Sequence, residues 1–216
     1  MRLLFSQSTS HTSTPFEIIH CDVWTSSIAI ISGFRYYLVI LYDFTHFCWT
    51  FPLVHKSEVH SHITNFCAYV LTQFSLPVRA VQADNGIEFV KCTLMTFLSS
   101  RGIRLRLSCP YTSPQNGKAE RSLRMLNNIS RTLLIHAHMP ATYWAEALAI
   151  ATYLINRCPC SALQHQVPYT ILYNTAPDYA HLRVFGCLCY PNLSATTPNK
   201  LTPRSNTCLS RVPICT

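Results

Sequence analysis

The apolar residues of this chain change period repeatedly along its length, and that alternation limits the fold more than any other feature. Phe16-Glu17-Ile18-Ile19-His20-Cys21-Asp22-Val23-Trp24 has the length and branching of a strand. Phe34 to Asp43 is a second, apolar on both faces from Tyr36 to Leu41. A turn at Asp43-Phe44-Thr45-His46 leads to a third, His46 to Val54, with Phe47, Trp49, Phe51 and Leu53 on one face. Pro52 has no amide hydrogen for a ladder, so that strand belongs at a sheet edge. The period then turns helical. After Ser57, a suitable N-cap, Val59, Ile63, Phe66, Val70 and Phe74 share one stripe, and Pro77 ends the helix. Val78 to Ala83 is a short strand, about Cys92 to Arg101 a helix closed by Gly102, and Ile103, Leu105 and Leu107 alternate with arginines in a fifth strand. Ser108 to Gly117 reads as a loop. A long helix follows on the stripe Ala119, Leu123, Leu126, Ser130, Leu133 and Ala137, then another amphipathic segment from Pro140 to about Asn156. Three strands, helix, strand, helix, strand, helices is an α/β order.

Domain limits follow the same signals. Residues 1–15 are Ser/Thr-rich and end in Pro15, which predicts an unstructured lead-in. The regular pattern occupies 16–157. Seven of the thirteen prolines lie beyond Arg157, where periodicity fades, so 158–216 is expected to be a loosely structured extension.

Composition narrows the partners. Hydrophobic residues are 49% of 216, enough for a core, and charged residues are only 12%, which excludes a solvated disordered chain. Seventeen Lys and Arg against nine acids give +8, a balance suited to a polyanion, nucleic acid before a membrane surface. The longest apolar run, Ala147 to Ile155, is too short to span a bilayer, and Met1 to Phe5 is too brief for a secretory core. The eleven cysteines are odd in number, and Cys158/Cys160 and Cys187/Cys189 are Cys-x-Cys pairs. They are expected to be reduced, mostly buried thiols of a cytosolic or nuclear protein. His60/His62 and His136/His138 would point about 200° apart on a helix, a poor metal site.

With so few acids, their positions carry weight. Asp22 lies inside the first strand, Asp84 ends the fourth, and Glu120 opens the long helix. If strands one and four are parallel neighbours, Asp22 and Asp84 converge and the helix's first turn brings Glu120 over them. Three such carboxylates repel unless divalent cations neutralise them, and oxygen-only ligands select Mg²⁺ or Mn²⁺ over zinc. Each position also has a plainer reading. Asp84-Asn85-Gly86 suits a hairpin turn, and Glu120 suits the positive end of a helix.

Asp84-Asn85-Gly86-Ile87-Glu88-Phe89, followed by Ser108-Cys109-Pro110-Tyr111-Thr112-Ser113-Pro114-Gln115-Asn116-Gly117-Lys118-Ala119-Glu120-Arg121, resembles the integrase core of copia-type LTR retrotransposons. So do Phe16 to Trp24, Tyr143 to Ala147, Tyr153 to Arg157 and His181 to Cys187, in the family's order from about residue 8 to 206. The resemblance implies an RNase H-like fold: a five-stranded mixed sheet, order 3-2-1-4-5, flanked by helices. It carries the family's catalytic and metal-binding triad onto Asp22, Asp84 and Glu120. It implies strand transfer with two metal ions, Asp22 bridging both, Asp84 on one and Glu120 on the other. The implied partners are element cDNA ends, target duplex DNA and further copies of the chain, without a membrane, in the nucleus after a cytoplasmic phase.

Seven of the seventeen cations lie between 101 and 131. Arg121, Arg124, Asn128 and Arg131 form one polar stripe on the long helix with no acid to balance it, which favours phosphate contact over an ordinary solvated face. Tyr111, Gln115, Asn116 and Lys118, ahead of Glu120, are further expected DNA contacts. Trp24, Trp49 and Trp144 are expected in the core.

Some positions depart from the family. Thr25-Ser26 stands where members carry Gly-Pro, and Tyr42 where they carry an acid. The chain is expected to be a module of a polyprotein, without the family's upstream His/Cys zinc region and downstream reverse transcriptase. Beyond Ser205 the family continues to Leu-Gly-Tyr-Pro. A one-base shift of a coding stretch for Ser210-Arg211-Val212-Pro213 restores that motif, so residues from about 208 are expected to be frameshifted and disordered. Two functions compete: a polynucleotidyl transferase core, and a degenerate remnant that binds nucleic acid without catalysis. An RNase H-type nuclease shares the metals but not the Pro-Tyr motif, and ranks last.

Overall fold

Five strands pair in the order β3-β2-β1-β4-β5: β1 Ile19–Thr25, β2 Tyr36–Tyr42, β3 Cys48–Leu53, β4 Ala80–Ala83 and β5 Arg104–Leu107. The structure, a computed structural model, describes residues 12, 14–28, 33–108, 116–192, 205 and 208–209. β1, β2 and β3 are antiparallel neighbours, while β4 runs parallel to both β1 and β5. The sheet is therefore mixed, in the order the resemblance implied, and Pro52 sits on edge strand β3 as its missing donor requires.

Alternation on the central strands builds two cores. Ile19, Cys21, Leu38, Ile40, Val81 and Ala83 face α1 (Val59–Phe74), α2 (Ile87–Val90) and α3 (Cys92–Ser100). Tyr37, Val39 and Leu41 face α4 (Gly117–His136) and α5 (Trp144–Arg157). β2 is buried on both faces, so its uninterrupted apolar run is a packing requirement. Trp144 and Trp24 meet edge-on in the second core with ring centroids 5.7 Å apart, and Trp49 packs on Phe66 in the first.

Local signals were legible with small displacements. The cap ahead of α1 stands two residues earlier than Ser57, at His55: the His55 N–H donates to Glu58 Oε1 at 2.9 Å, and a 3-10 turn at Lys56–Glu58 precedes the helix. α1 ends at Ser75 in the left-handed region (φ 54°), ahead of Pro77. Gly102 takes φ 67°, which lets α3 turn sharply into β5. On α4 the buried stripe passes through Leu134, with Leu133 beside it.

Three expectations need correction. Of the cysteines described, Cys21, Cys48 and Cys67 are buried, but Cys92, Cys158 and Cys208 are exposed and Cys160, Cys187 and Cys189 half-buried. The buried three occupy inward positions of β1, β3 and α1, whereas most of the others lie beyond Arg157, where little core remains to cover them. Residues 158–187 are not loose. α6 (Pro168–Tyr173) is too short to show a period, yet the Arg157 guanidinium lies 3.6 Å from the Tyr153 ring centroid and 4.4 Å from that of Tyr169 on α6. Phe185 joins the second core. Cys208–Leu209, expected to be disordered, forms a two-stranded pair (β7) with Leu188–Cys189 (β6). Most of the expected lead-in and of the chain end lies outside the described residues.

One side chain substitutes for a missing strand at the β3 edge. Asn156, at the end of α5, accepts from the Cys48 N–H at 2.8 Å and donates to the Cys48 carbonyl at 2.7 Å. Both residues are buried, so deleting the amide orphans two peptide groups. Asn156→Ala is expected to lower unfolding free energy by about 2–4 kcal/mol in urea melts.

Candidate active site

Parallel pairing of β1 with β4 sets the site. Ile19 pairs with Val81 and His20 with Gln82, and two residues further along each chain stand Asp22 and Asp84. Alternation puts Asp22 on the α4 face of the sheet, opposite Cys21, and α4 packs over β1 with Glu120 in its first turn. Asp84-Asn85-Gly86 is no hairpin: it leads from β4 into α2, with the Gly86 N–H donating to Asp84 Oδ1 at 3.0 Å.

The acids feel one another. Burial, then the charges of Asp84, Glu120 and Glu88, lift the Asp22 carboxyl to about 6, against a hydrogen bond from the Val23 N–H (2.8 Å) that favours its ionised form. Yet among the described residues no three His, Cys, Asp or Glu side chains gather closely enough to hold a metal ion. The carboxylates share a field without closing on a common point. Their donor set is oxygen-only and their repulsion is of the kind a divalent cation relieves, so the residues fit Mg²⁺ or Mn²⁺.

Two of the expected DNA contacts hold partners within the chain. Asn116 is 2% exposed and donates to the Cys21 carbonyl at 3.2 Å, tying the start of α4 to β1. Lys118 ion-pairs with Asp43, a buried carboxylate in the turn after β2. Asp43 also accepts from Thr12 Oγ1 (3.1 Å) and pairs with His20 Nε2 (2.8 Å). Burial works to raise its carboxyl, but the hydrogen bonds from His20 and Lys118 outweigh that and hold it well below the usual carboxylate range. Asp43 and Glu88 are the structurally important acids that sequence reasoning passed over. Their only signal was scarcity: with nine acids, two that end up buried must have partners.

The remaining cations lie as expected. Arg121, Arg124, Asn128 and Arg131 are exposed on the outer face of α4, Arg131 donating to Asn128 Oδ1 at 3.0 Å. Among the described residues no ion pair involves these arginines. Tyr111 and Gln115 lie outside the described residues. Where the resemblance led to an acid, Tyr42 stacks on Phe16 (centroids 4.3 Å, planes 1° apart), and its hydroxyl accepts from the Phe16 N–H.

Comparison with known proteins agrees with this geometry. Residues 12–113 match the family model described as the integrase core domain. The chain is 41% identical over 204 residues to the retrovirus-related Pol polyprotein from transposon RE2 of Arabidopsis thaliana, covering 94% of the chain and 14% of that protein. It is 29% identical over 209 residues to the corresponding polyprotein from transposon TNT 1-94 of Nicotiana tabacum, covering 96% and 16%. The chain thus spans about one-seventh of the length of these curated relatives. In three dimensions it resembles a chain of the simian T-cell lymphotropic virus intasome in complex with PP2A regulatory subunit B56 gamma. That likeness has a TM-score of 0.64 at 15% identity and covers 95% of this chain and 71% of the other, which speaks to the fold. The chain is an integrase core domain, RNase H-like in fold, of the family found in the Pol polyproteins of copia-type retrotransposons.

Proposed function

We propose that this chain is the catalytic core of an integrase that joins 3′ ends of element DNA to a target duplex, acting on chromosomal DNA in the nucleus as part of an oligomer. The observation that carries this reading is the electrostatic coupling of Asp22 to Asp84 and Glu120 at one end of the β1–β4 pair. Asp22, Asp84 and Glu120 would hold two divalent cations, Mg²⁺ or Mn²⁺. When bound, these supply the charge that activates an attacking 3′-hydroxyl and stabilises a departing 3′-oxygen.

The chain's own residues prepare that chemistry. Asn116 and Lys118 fix the first turn of α4, which lowers the ordering cost of presenting Glu120 on the side of the sheet that carries Asp22. Asp22 must be ionised to serve as a ligand, and its raised carboxyl ties that requirement to pH. Arg121, Arg124 and Arg131 lead away from the acids along α4 and suit the phosphates of a duplex. The competing reading, a remnant that binds nucleic acid without catalysis, draws support from the acids standing apart. Strand transfer with Mn²⁺ on a duplex with a recessed 3′ end distinguishes the two.

Asp84→Asn keeps shape but removes one negative charge. Strand transfer should fall at least about a hundredfold, while Mn²⁺ should raise the melting temperature of the parent and hardly that of the variant. A parent with neither transfer nor metal-induced stabilisation would leave the remnant reading standing.

The Asp22 carboxyl predicts a pH signature. Its folded value of about 6 exceeds the ordinary 3.8, so the folded state binds the proton more tightly and stability falls as pH rises between those values. Asp22→Asn should therefore stabilise the metal-free protein by roughly 3 kcal/mol above pH 6, and not at all below about pH 3.8, in chemical melts across that range.

Phosphate contact predicts salt dependence. Changing Arg121, Arg124 and Arg131 together to Ala should flatten the slope of log affinity against log salt by up to about 2.7, at about 0.9 per phosphate, in duplex-binding titrations. An unchanged slope would move the DNA path off α4.

A further inference from the structure

Glu88 is a buried acid, 8% exposed, that the proposed chemistry does not use. It stands on α2, four residues after Asp84. Lys56, from the 3-10 turn ahead of α1, donates to Glu88 Oε1 at 2.9 Å, with the lysine side chain 43% exposed and the glutamate side chain 8%. The other side of the carboxylate lies over Gly86. A Cβ at Gly86 would stand 2.8 Å from Glu88 Cδ, 2.9 Å from Glu88 Oε2 and 3.0 Å from Asp84 Oδ1.

Those distances explain the glycine. Gly86 has φ −56° and ψ 140°, a conformation any residue adopts, so backbone freedom is not what it provides. It provides space. Both carboxylate oxygens border the volume a side chain would fill, which sets them no more than about 6 Å apart. The same glycine holds Asp84 by its N–H. One residue therefore touches both acids, and Lys56 supplies the positive charge that lets the second acid stay buried there.

We infer that Glu88, held by Lys56, is a positioning residue that seats the turn from Asp84 to Gly86 and so fixes the direction in which Asp84 presents its carboxylate. What Asp84 is presented to rests on the proposed function; the seating of the turn does not. A pair that merely fastened α2 to the turn before α1 would affect stability alone. Seating makes a further demand: loss of the Glu88 side chain must loosen the Gly86 N–H, and a side chain of the same shape must restore it.

The test compares Glu88→Ala, Glu88→Gln and Lys56→Met in the full chain. Hydrogen exchange of the Gly86 amide, followed by NMR without metal, should be at least about tenfold faster in Glu88→Ala. Glu88→Gln should recover most of that protection. In strand transfer, Glu88→Ala should lower turnover with little change in the apparent KM for DNA, and Glu88→Gln should recover most of the loss. Gly86 exchange at the parental rate in Glu88→Ala overturns the inference. So does a Glu88→Gln variant that loses as much turnover as Glu88→Ala, which would make Glu88 a ligand by charge. Should Glu88→Ala fail to fold, Lys56→Met decides: it frees the carboxylate from its solvent side and must also speed Gly86 exchange. A parent that transfers no strands would count against the proposed function, while the exchange comparison would still decide the role of Glu88.

Discussion

One buried carboxylate joins the parts of this structure that the site depends on. Asp43 sits just past β2, with His20 of β1 and Lys118 of α4 on it from two directions. An ionised acid in that position is stable only while its donors stay, and each donor lies two residues from an acid of the site: His20 from Asp22, and Lys118 from Glu120. The sheet's central strand and the helix over it are thereby registered against one another by a single oxygen, Asp43 Oδ1, that both side chains approach. Asn116 adds a second tie from α4 to the Cys21 carbonyl. The acids of the site repel one another, and contacts just outside them tie together the strand and the helix that carry Asp22 and Glu120.

This division of labour explains what could be read in the sequence. Pro52 marked an edge strand, β2 showed its two-sided burial in an unbroken apolar run, and Asp22 stood out as an acid inside a strand. Each of those signals is local, a matter of period or of one residue out of place. α2 and α6, of four and six residues, are shorter than two helical turns, so no period could reveal them. For Lys118 and Asn116, residue type and proximity to Glu120 were all that could be weighed, and neither reveals an internal partner. Whether a lysine faces solvent or a carboxylate 75 residues away is decided by the sheet order, not by its neighbours in the chain. The same holds for Glu88, whose partner Lys56 lies 32 residues upstream.

The chain also arranges its charges in depth. α4 presents Glu120 and Lys118 toward the sheet in its first turn and arginines outward along the following turns. The amino end of a helix carries partial positive charge, so the direction of α4 eases the acid repulsion at the end where it is greatest. From Arg121 to Arg131 the helix rises about 15 Å, a length of duplex that carries roughly nine phosphate charges. Cations placed any closer to the acids would pair with them, as Lys118 does with Asp43 and Lys56 with Glu88. Arg121, Arg124 and Arg131, on the far face of α4, stay available to a polyanion. Under the proposed function, the net charge of +8 is thus less informative than its placement: Lys56 and Lys118 neutralise buried acids beside the site, and Arg121, Arg124 and Arg131 lead away from it along α4.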